Sequence, residues 1–184
     1  LTDPYTIPVV FHVFGTIYNG GTTVTNAVIE DALNKTNEDF KGLNADYTTI
    51  DAPFDAIKQS LDITFKLAQL DPNGNPTTGV VYYGEAGGIG NYSSPIVPQV
   101  AWDNSMYMNV YITRDLYGNG DNYNSGVAWY PDTYMSDNNI ARVVYNGSYL
   151  GNNTNENFRS VLTHEFGHFL DLPHTFSVCS NDPN

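Results

Sequence analysis

Residues 164–174 read HEFGHFLDLPH, and they gather three of the chain's four histidines around one glutamate. On an α-helix, positions four apart lie about 40° apart around the axis and about 6 Å along it. His164 and His168 therefore project from one face and can grip a single ion. Glu165 is rotated by about 100°, so it can reach a water on that ion without ligating the ion itself. A continuous helix would carry His174 about 120° away. The segment supplies a break: Pro173 disfavours helical geometry at Leu172, and Asp171 belongs to the non-glycine residues that tolerate left-handed backbone. A chain that turns back here brings three neutral imidazoles to one side of a zinc ion and leaves a fourth position open. That open position distinguishes a catalytic zinc from a structural one.

The spacing predicts a zinc hydrolase. A thermolysin-like site would take its third ligand from a downstream glutamate, and no glutamate follows Glu165. His12, the remaining histidine, lies in an apolar run and reads as a hydrogen-bonded core residue rather than a ligand.

The rest of the chain supplies a frame for such a helix. IPVVFHVF (7–14) is a continuous apolar run that reads as a buried strand. A helix follows over 26–41, with Ile29, Leu33 and Phe40 on one stripe and Thr25 or Asn26 as its cap. LDITFKLAQL (61–70) alternates Leu61, Ile63, Phe65 and Leu67 inwards, a half-buried strand. DPNGNP (71–76) starts like a calcium loop, but Tyr82 stands where such a loop needs a bidentate glutamate, so it reads as a turn. MYMNVYIT (106–113) and IARVVY (140–145) read as strands, and GVAWYP (126–131), closed by Pro131, reads as an edge strand. The zinc-motif helix is expected over 155–170, with Phe158, Val161, Leu162, Phe166 and Phe169 on its apolar side. No internal repeat is evident. The pattern gives an α/β (α+β) class: a twisted mixed sheet with one backing helix and one active-site helix.

Composition narrows the partners. The 184 residues form one domain, or one domain and a fragment of another. No run of about 20 apolar residues is present to span a membrane. Twenty acidic residues against seven basic ones give a net charge of −13, which repels phosphate backbones and argues against nucleic acid as a partner. Such a charge suits a secreted protein, and a chain that starts at Leu1 without a methionine or signal peptide reads as a mature form. Cys179 is the single cysteine, and in a secreted chain it implies a missing partner or a free thiol. Asn34, Asn91, Asn146 and Asn152 each begin an N-x-S/T triplet that a glycosylating host would read.

With these residues in place, the chain resembles the pappalysin-type metzincin metallopeptidases. IPVVFHVF, NEDFKGLN (37–44), the NVYI strand and RSVLTHEFGHFLDLPHTF (159–176) occur in the family's order. The resemblance implies a metzincin-like upper subdomain over 1–174, with 175–184 opening a lower C-terminal subdomain. It implies His164, His168 and His174 as ligands of one Zn²⁺, Glu165 as general base, and a peptide or protein substrate. It implies that Gly126, Val127, Ala128 and Trp129 form the upper-rim strand, against which an extended peptide pairs antiparallel. It also implies that Cys179 forms a disulfide with a cysteine further downstream. Calcium is a further expectation from the family, with no site identified by the residues.

Two departures stand out. Asp171 occupies a place where metzincins usually carry glycine, and no methionine follows His174, since Met106, Met108 and Met135 all precede the motif. The expectation is therefore the upper part of a secreted zinc endopeptidase, with the lower subdomain missing or held as a separate chain. The alternative is a zinc- or peptide-binding fragment without activity of its own.

Overall fold

The apolar run near the N-terminus becomes the strand on which the sheet is assembled. In a computed structural model, which describes residues 5–18, 21, 23–151 and 161–174, β1 spans Tyr5–Phe14. Its residues Val9 to Val13 are fully buried, as a parallel strand covered on both faces requires. β2 (Ile63–Leu67), β3 (Val80–Tyr83), β4 (Met108–Thr113), β5 (Gly126–Trp129) and β6 (Arg142–Asn146) complete one sheet. Its order is β2–β1–β4–β6–β5, and β3 continues the β2 edge alongside the second half of β1. Every pairing is parallel except that of β5, which runs antiparallel to β6 at the sheet's edge. The mixed α/β sheet with its helices matches the class read from the sequence.

Alternation along the strands sorts residues between two layers. Val9, Phe11, Val13, Val110, Ile112, Val143 and Tyr145 face α1 (Asn26–Phe40) and the active-site helix (Val161–Phe169). Helix α1 buries Ile29, Leu33, Thr36 and Phe40 on the expected stripe, and the Thr25 side chain caps it by accepting the Val28 N–H. Asn37, on its last turn, donates to Phe65 O (2.9 Å) and accepts from Phe65 N (2.7 Å), and so closes part of the exposed edge of β2. Phe40, Phe65 and Phe166 meet edge to face, with centroids 5.0 and 4.8 Å apart, and tie α1, β2 and the active-site helix together.

The opposite face of the sheet is covered by the long 84–105 segment, with Ile89 and Val97 packed against Phe14, Tyr111 and Val144. His12 faces this layer. Its ring nitrogens meet Tyr83 OH (3.1 Å) and Asn109 Oδ1 (2.9 Å), and burial lowers its pKa from 6.5 to about 4, so it is a neutral core histidine as expected. Asn146 is fully buried and donates to the carbonyls of Arg114, Asn122 and Asn124, so in the folded chain it is a loop anchor, closed to glycosylation.

Some boundaries differ from the sequence expectation. The 61–70 run forms a strand only at Ile63–Leu67, and Leu61 is exposed, because β1 offers pairing partners only from Tyr5 to Val9 on that side. Met106 is likewise exposed ahead of β4, and the 140–145 strand runs from Arg142 to Asn146. Residues 155–160 of the expected active-site helix, and Cys179, lie outside the described residues.

Arg142 is the unexpected core residue. It is fully buried in β6, where its guanidinium donates to Ile89 O (3.0 Å), Ile140 O (2.6 Å) and Asn91 O (2.7 Å). Three carbonyls around one planar fork fix the 89–91 loop beside β5, and Trp129 Nε1 adds a bond to Gly90 O (2.9 Å). An ammonium cannot span that fork. Arg142→Lys is therefore expected to lower unfolding free energy by about 2 kcal/mol or more, measured by urea denaturation. A loss under about 0.5 kcal/mol would show that the fork does not matter.

Candidate metal centre

The active-site helix ends in the turn that the sequence required. Leu172 N donates to Gly167 O (3.0 Å) and Asp171 N donates to His168 O (2.8 Å), the paired bonds of a Schellman cap. Asp171 takes the left-handed position of that cap, with φ 66°. Helix α1 ends in the same pair of bonds, with Gly42 at φ 65° in the corresponding place. Asp171 thus does with an L side chain what glycine does there, at a cost of about 1–2 kcal/mol.

After that turn the chain reverses, and the imidazoles converge. His164 Nε2 lies 2.9 Å from His168 Nε2 and 3.2 Å from His174 Nε2, while His168 and His174 are 3.0 Å apart at the same atoms. These contacts cannot all be hydrogen bonds, because a ring N–H points at one neighbour only and a neutral imidazole carries one N–H. His168 Nδ1 is 2.7 Å from Leu172 O, so Nδ1 carries the proton and Nε2 offers its lone pair. Donors around a tetrahedral zinc with bonds of about 2.0–2.1 Å stand roughly 3.3 Å from one another, so the triad fits that ion. Among the described residues these three side chains form the group able to hold a metal. The acidic loops form no second such group there. Asp71 and Asp115 accept backbone N–H groups of their own turns instead.

Glu165 is buried beside the triad, and burial raises its pKa from 4.5 to about 7. A divalent cation nearby acts in the opposite direction and favours the carboxylate. Gly126 explains how Glu165 fits: a Cβ at that position would stand 2.7 Å from Glu165 Cγ and 2.8 Å from Oε1. The glycine that opens β5 is therefore room for the carboxylate, a role that its sequence position did not reveal. Tyr130, just past β5, lies edge-on to His168 with centroids 6.1 Å apart.

β5 brings its backbone to the same cleft. Asn146 N donates to Ser125 O (2.8 Å), and because those residues stand directly opposite, pairing alternates from there. Val127 and Trp129 turn their N–H and C=O groups towards β6, and Gly126 and Ala128 turn theirs to the open edge. A cavity of about 550 Å³ adjoins the triad on the other side, lined by Asp39, Phe40, Gln59, Leu61, Thr163 and Leu172 with the three histidines. Thr163 donates to Asp39 Oδ2 (2.6 Å) at its wall.

Three imidazoles on a broken helix, a buried glutamate one residue on, and an antiparallel edge strand above them define a metzincin-type metallopeptidase architecture. The family model for peptidase M43, described as pregnancy-associated plasma protein-A, matches residues 91–183, and the chain belongs to that family. Among solved structures, mature mirolysin of Tannerella forsythia in complex with a cleaved peptide is similar at 28% identity and a TM-score of 0.77, covering 96% of this chain and 66% of that one. A promirolysin point mutant from the same organism matches at 27% identity and 0.74, covering 96% of this chain and 58% of that one. Mirolysin in complex with a small compound matches at 26% and 0.77. The chain thus spans 58–66% of the length of these mirolysin chains. No curated protein sequence matches.

The left-handed residue offers a test of how the triad is assembled. Asp171→Val places a β-branched side chain where φ is positive, and zinc affinity measured by competition titration is expected to fall by roughly tenfold or more, whereas Asp171→Gly keeps it. Equal affinities for the two variants would show that the turn does not set the third ligand.

Proposed function

We propose that this chain carries the upper half of the active site of a secreted zinc endopeptidase, with His164, His168 and His174 holding one Zn²⁺ and Glu165 as general base. The convergence of three Nε2 atoms to within 3.2 Å is the observation that carries this reading. Zinc in such a site polarises the scissile carbonyl and acidifies water. Glu165 takes a proton from the attacking water on its carboxylate and passes it to the leaving amine. Its burial beside Gly126 holds the carboxylate in one place and excludes bulk water from it.

The substrate is an extended peptide or protein segment that adds antiparallel to β5. Gly126 and Ala128 offer it main-chain donors and acceptors, while Val127 and Trp129 keep the strand fixed to β6. Mirolysin supports the reading, since that protein has been solved with a cleaved peptide. The proposal divides the protein at residue 174, with the floor of the cleft supplied by a lower subdomain that 175–184 begin. A disulfide from Cys179 and an extracellular setting belong to the same proposal.

Peptide cleavage is expected to stop with a chelator and to return with added zinc. Glu165→Ala is expected to bind zinc one to one, as the parent does, and to lose at least 100-fold in kcat/KM, read on a mixed peptide library. Cleavage by the variant at the parent rate would remove Glu165 from the base role. Zinc binding without cleavage by the parent would reduce the chain to a binding fragment.

A further inference from the structure

On the face of β5 that looks at the active-site helix, side chains grow in size along the strand. Successive residues of a strand point to opposite faces. Gly126 stands against Glu165, and Ala128 packs with the helix layer, so both belong to that face. Tyr130, two residues further on, belongs to it as well, since its ring meets His168 edge-on with centroids 6.1 Å apart. Val127 takes the other face and packs against the cluster of Phe14, Tyr111 and Val144. The helix-facing side therefore presents no side chain, then a methyl group, then a phenol. The first two leave room above the cleft, and the third, 43% exposed, walls it off.

The phenol is fixed at both ends. Its ring rests on His168, whose own ring is oriented by the contact of Nδ1 with Leu172 O (2.7 Å). Its backbone is set by a turn in which Asp132 N donates to Tyr130 O (2.9 Å), and Pro131 stops the strand from continuing. Among the described residues Tyr130 belongs to none of the buried clusters, so the core does not account for its ring. A ring held in this way and open on part of its surface is an apolar wall that needs no rearrangement to receive a guest.

Strand pairing identifies the guest's position, and this step rests on the peptidase reading above. In an antiparallel pair, directly opposed residues place their side chains on the same face. With the pairing extended one residue past Trp129, the peptide side chain opposite Tyr130 points to the helix side and meets the phenol. Its two neighbours in the peptide point to the other face. Glu165 stands at Gly126 and His168 at Tyr130, so the common centre of the triad falls between them, about level with Ala128. The peptide runs opposite to β5, so the residue facing Tyr130 lies about two positions N-terminal to the one whose carbonyl reaches that centre. We infer that Tyr130 walls a subsite that selects a bulky apolar side chain, aromatic above all, about two residues upstream of the residue whose carbonyl is attacked.

The test uses the zinc-loaded Glu165→Ala chain, which on the same reading holds a peptide without cutting it, and isothermal titration. Phenylalanine is moved one position at a time through a serine–alanine host peptide, and leucine is moved likewise. At one position phenylalanine is expected to bind about three- to tenfold more tightly than the host, with leucine between the two. Adding Tyr130→Phe is expected to keep that advantage and Tyr130→Ala to abolish it, with affinities at the adjacent positions unchanged. Tyr130→Leu, which keeps bulk against His168 without a ring, is expected to bring phenylalanine down to the level of leucine. Because Tyr130 touches His168, the zinc content of each variant is measured alongside, and one zinc per chain is expected throughout. The subsite is overturned if no position favours phenylalanine, if the advantage survives both Tyr130→Ala and Tyr130→Leu, or if binding falls equally at the adjacent positions. Binding of the host peptide itself reports on the underlying reading. Host binding without a phenylalanine preference removes only the subsite, and no binding of any peptide removes both.

Discussion

Three imidazole nitrogens held about 3 Å apart cannot satisfy one another, and the structure around them is arranged to keep them there all the same. Each points a lone pair or a single N–H at a common centre, an arrangement that is unfavourable for the side chains alone and favourable once a cation shares them. The helix supplies two of the rings through its own period. The third comes from a backbone reversal whose left-handed residue, Asp171, carries a side chain where α1 uses Gly42. The close approach of the three ring nitrogens is the arrangement that a shared cation would satisfy.

A site of this kind needs a rigid support, and the support can be traced residue by residue. Phe166 anchors the active-site helix to Phe65 and through it to Phe40, so the helix is set against both α1 and the sheet. On the cleft side, Gly126 allows the Glu165 carboxylate to lie against β5, and β5 is kept in place through β6. Arg142 and Asn146 lie on the far face of β6, where they tie down the 89–91 and 114–124 loops that flank the edge strand. Glu165, the open edge of β5 and the flanking loops therefore all refer to one strand.

Much of this was legible in the sequence, for physical reasons that differ from case to case. The convergence of His164, His168 and His174 was readable because helical period and the proline break fix their directions without help from distant residues. β1 was readable because a strand buried on both faces must be apolar throughout. The room that Gly126 makes for Glu165 was not readable, since it arises from residues 39 positions apart in the chain that meet only after folding. Arg142 was hidden for the same kind of reason: a charged residue in a strand reads as solvent-facing, and its three carbonyl partners come from loops with no sequence signature. β3 escaped notice because four residues give too short a pattern to separate from the surrounding loop.

The central claim is an open zinc site built from three histidines of this chain. X-ray absorption at the zinc edge of the chain loaded with one equivalent of Zn²⁺ tests it most directly. The account predicts three imidazole nitrogens and one oxygen at about 2.0–2.1 Å. A sulfur at about 2.3 Å, which would bring Cys179 into a closed four-residue shell, or fewer than three imidazoles, would contradict it.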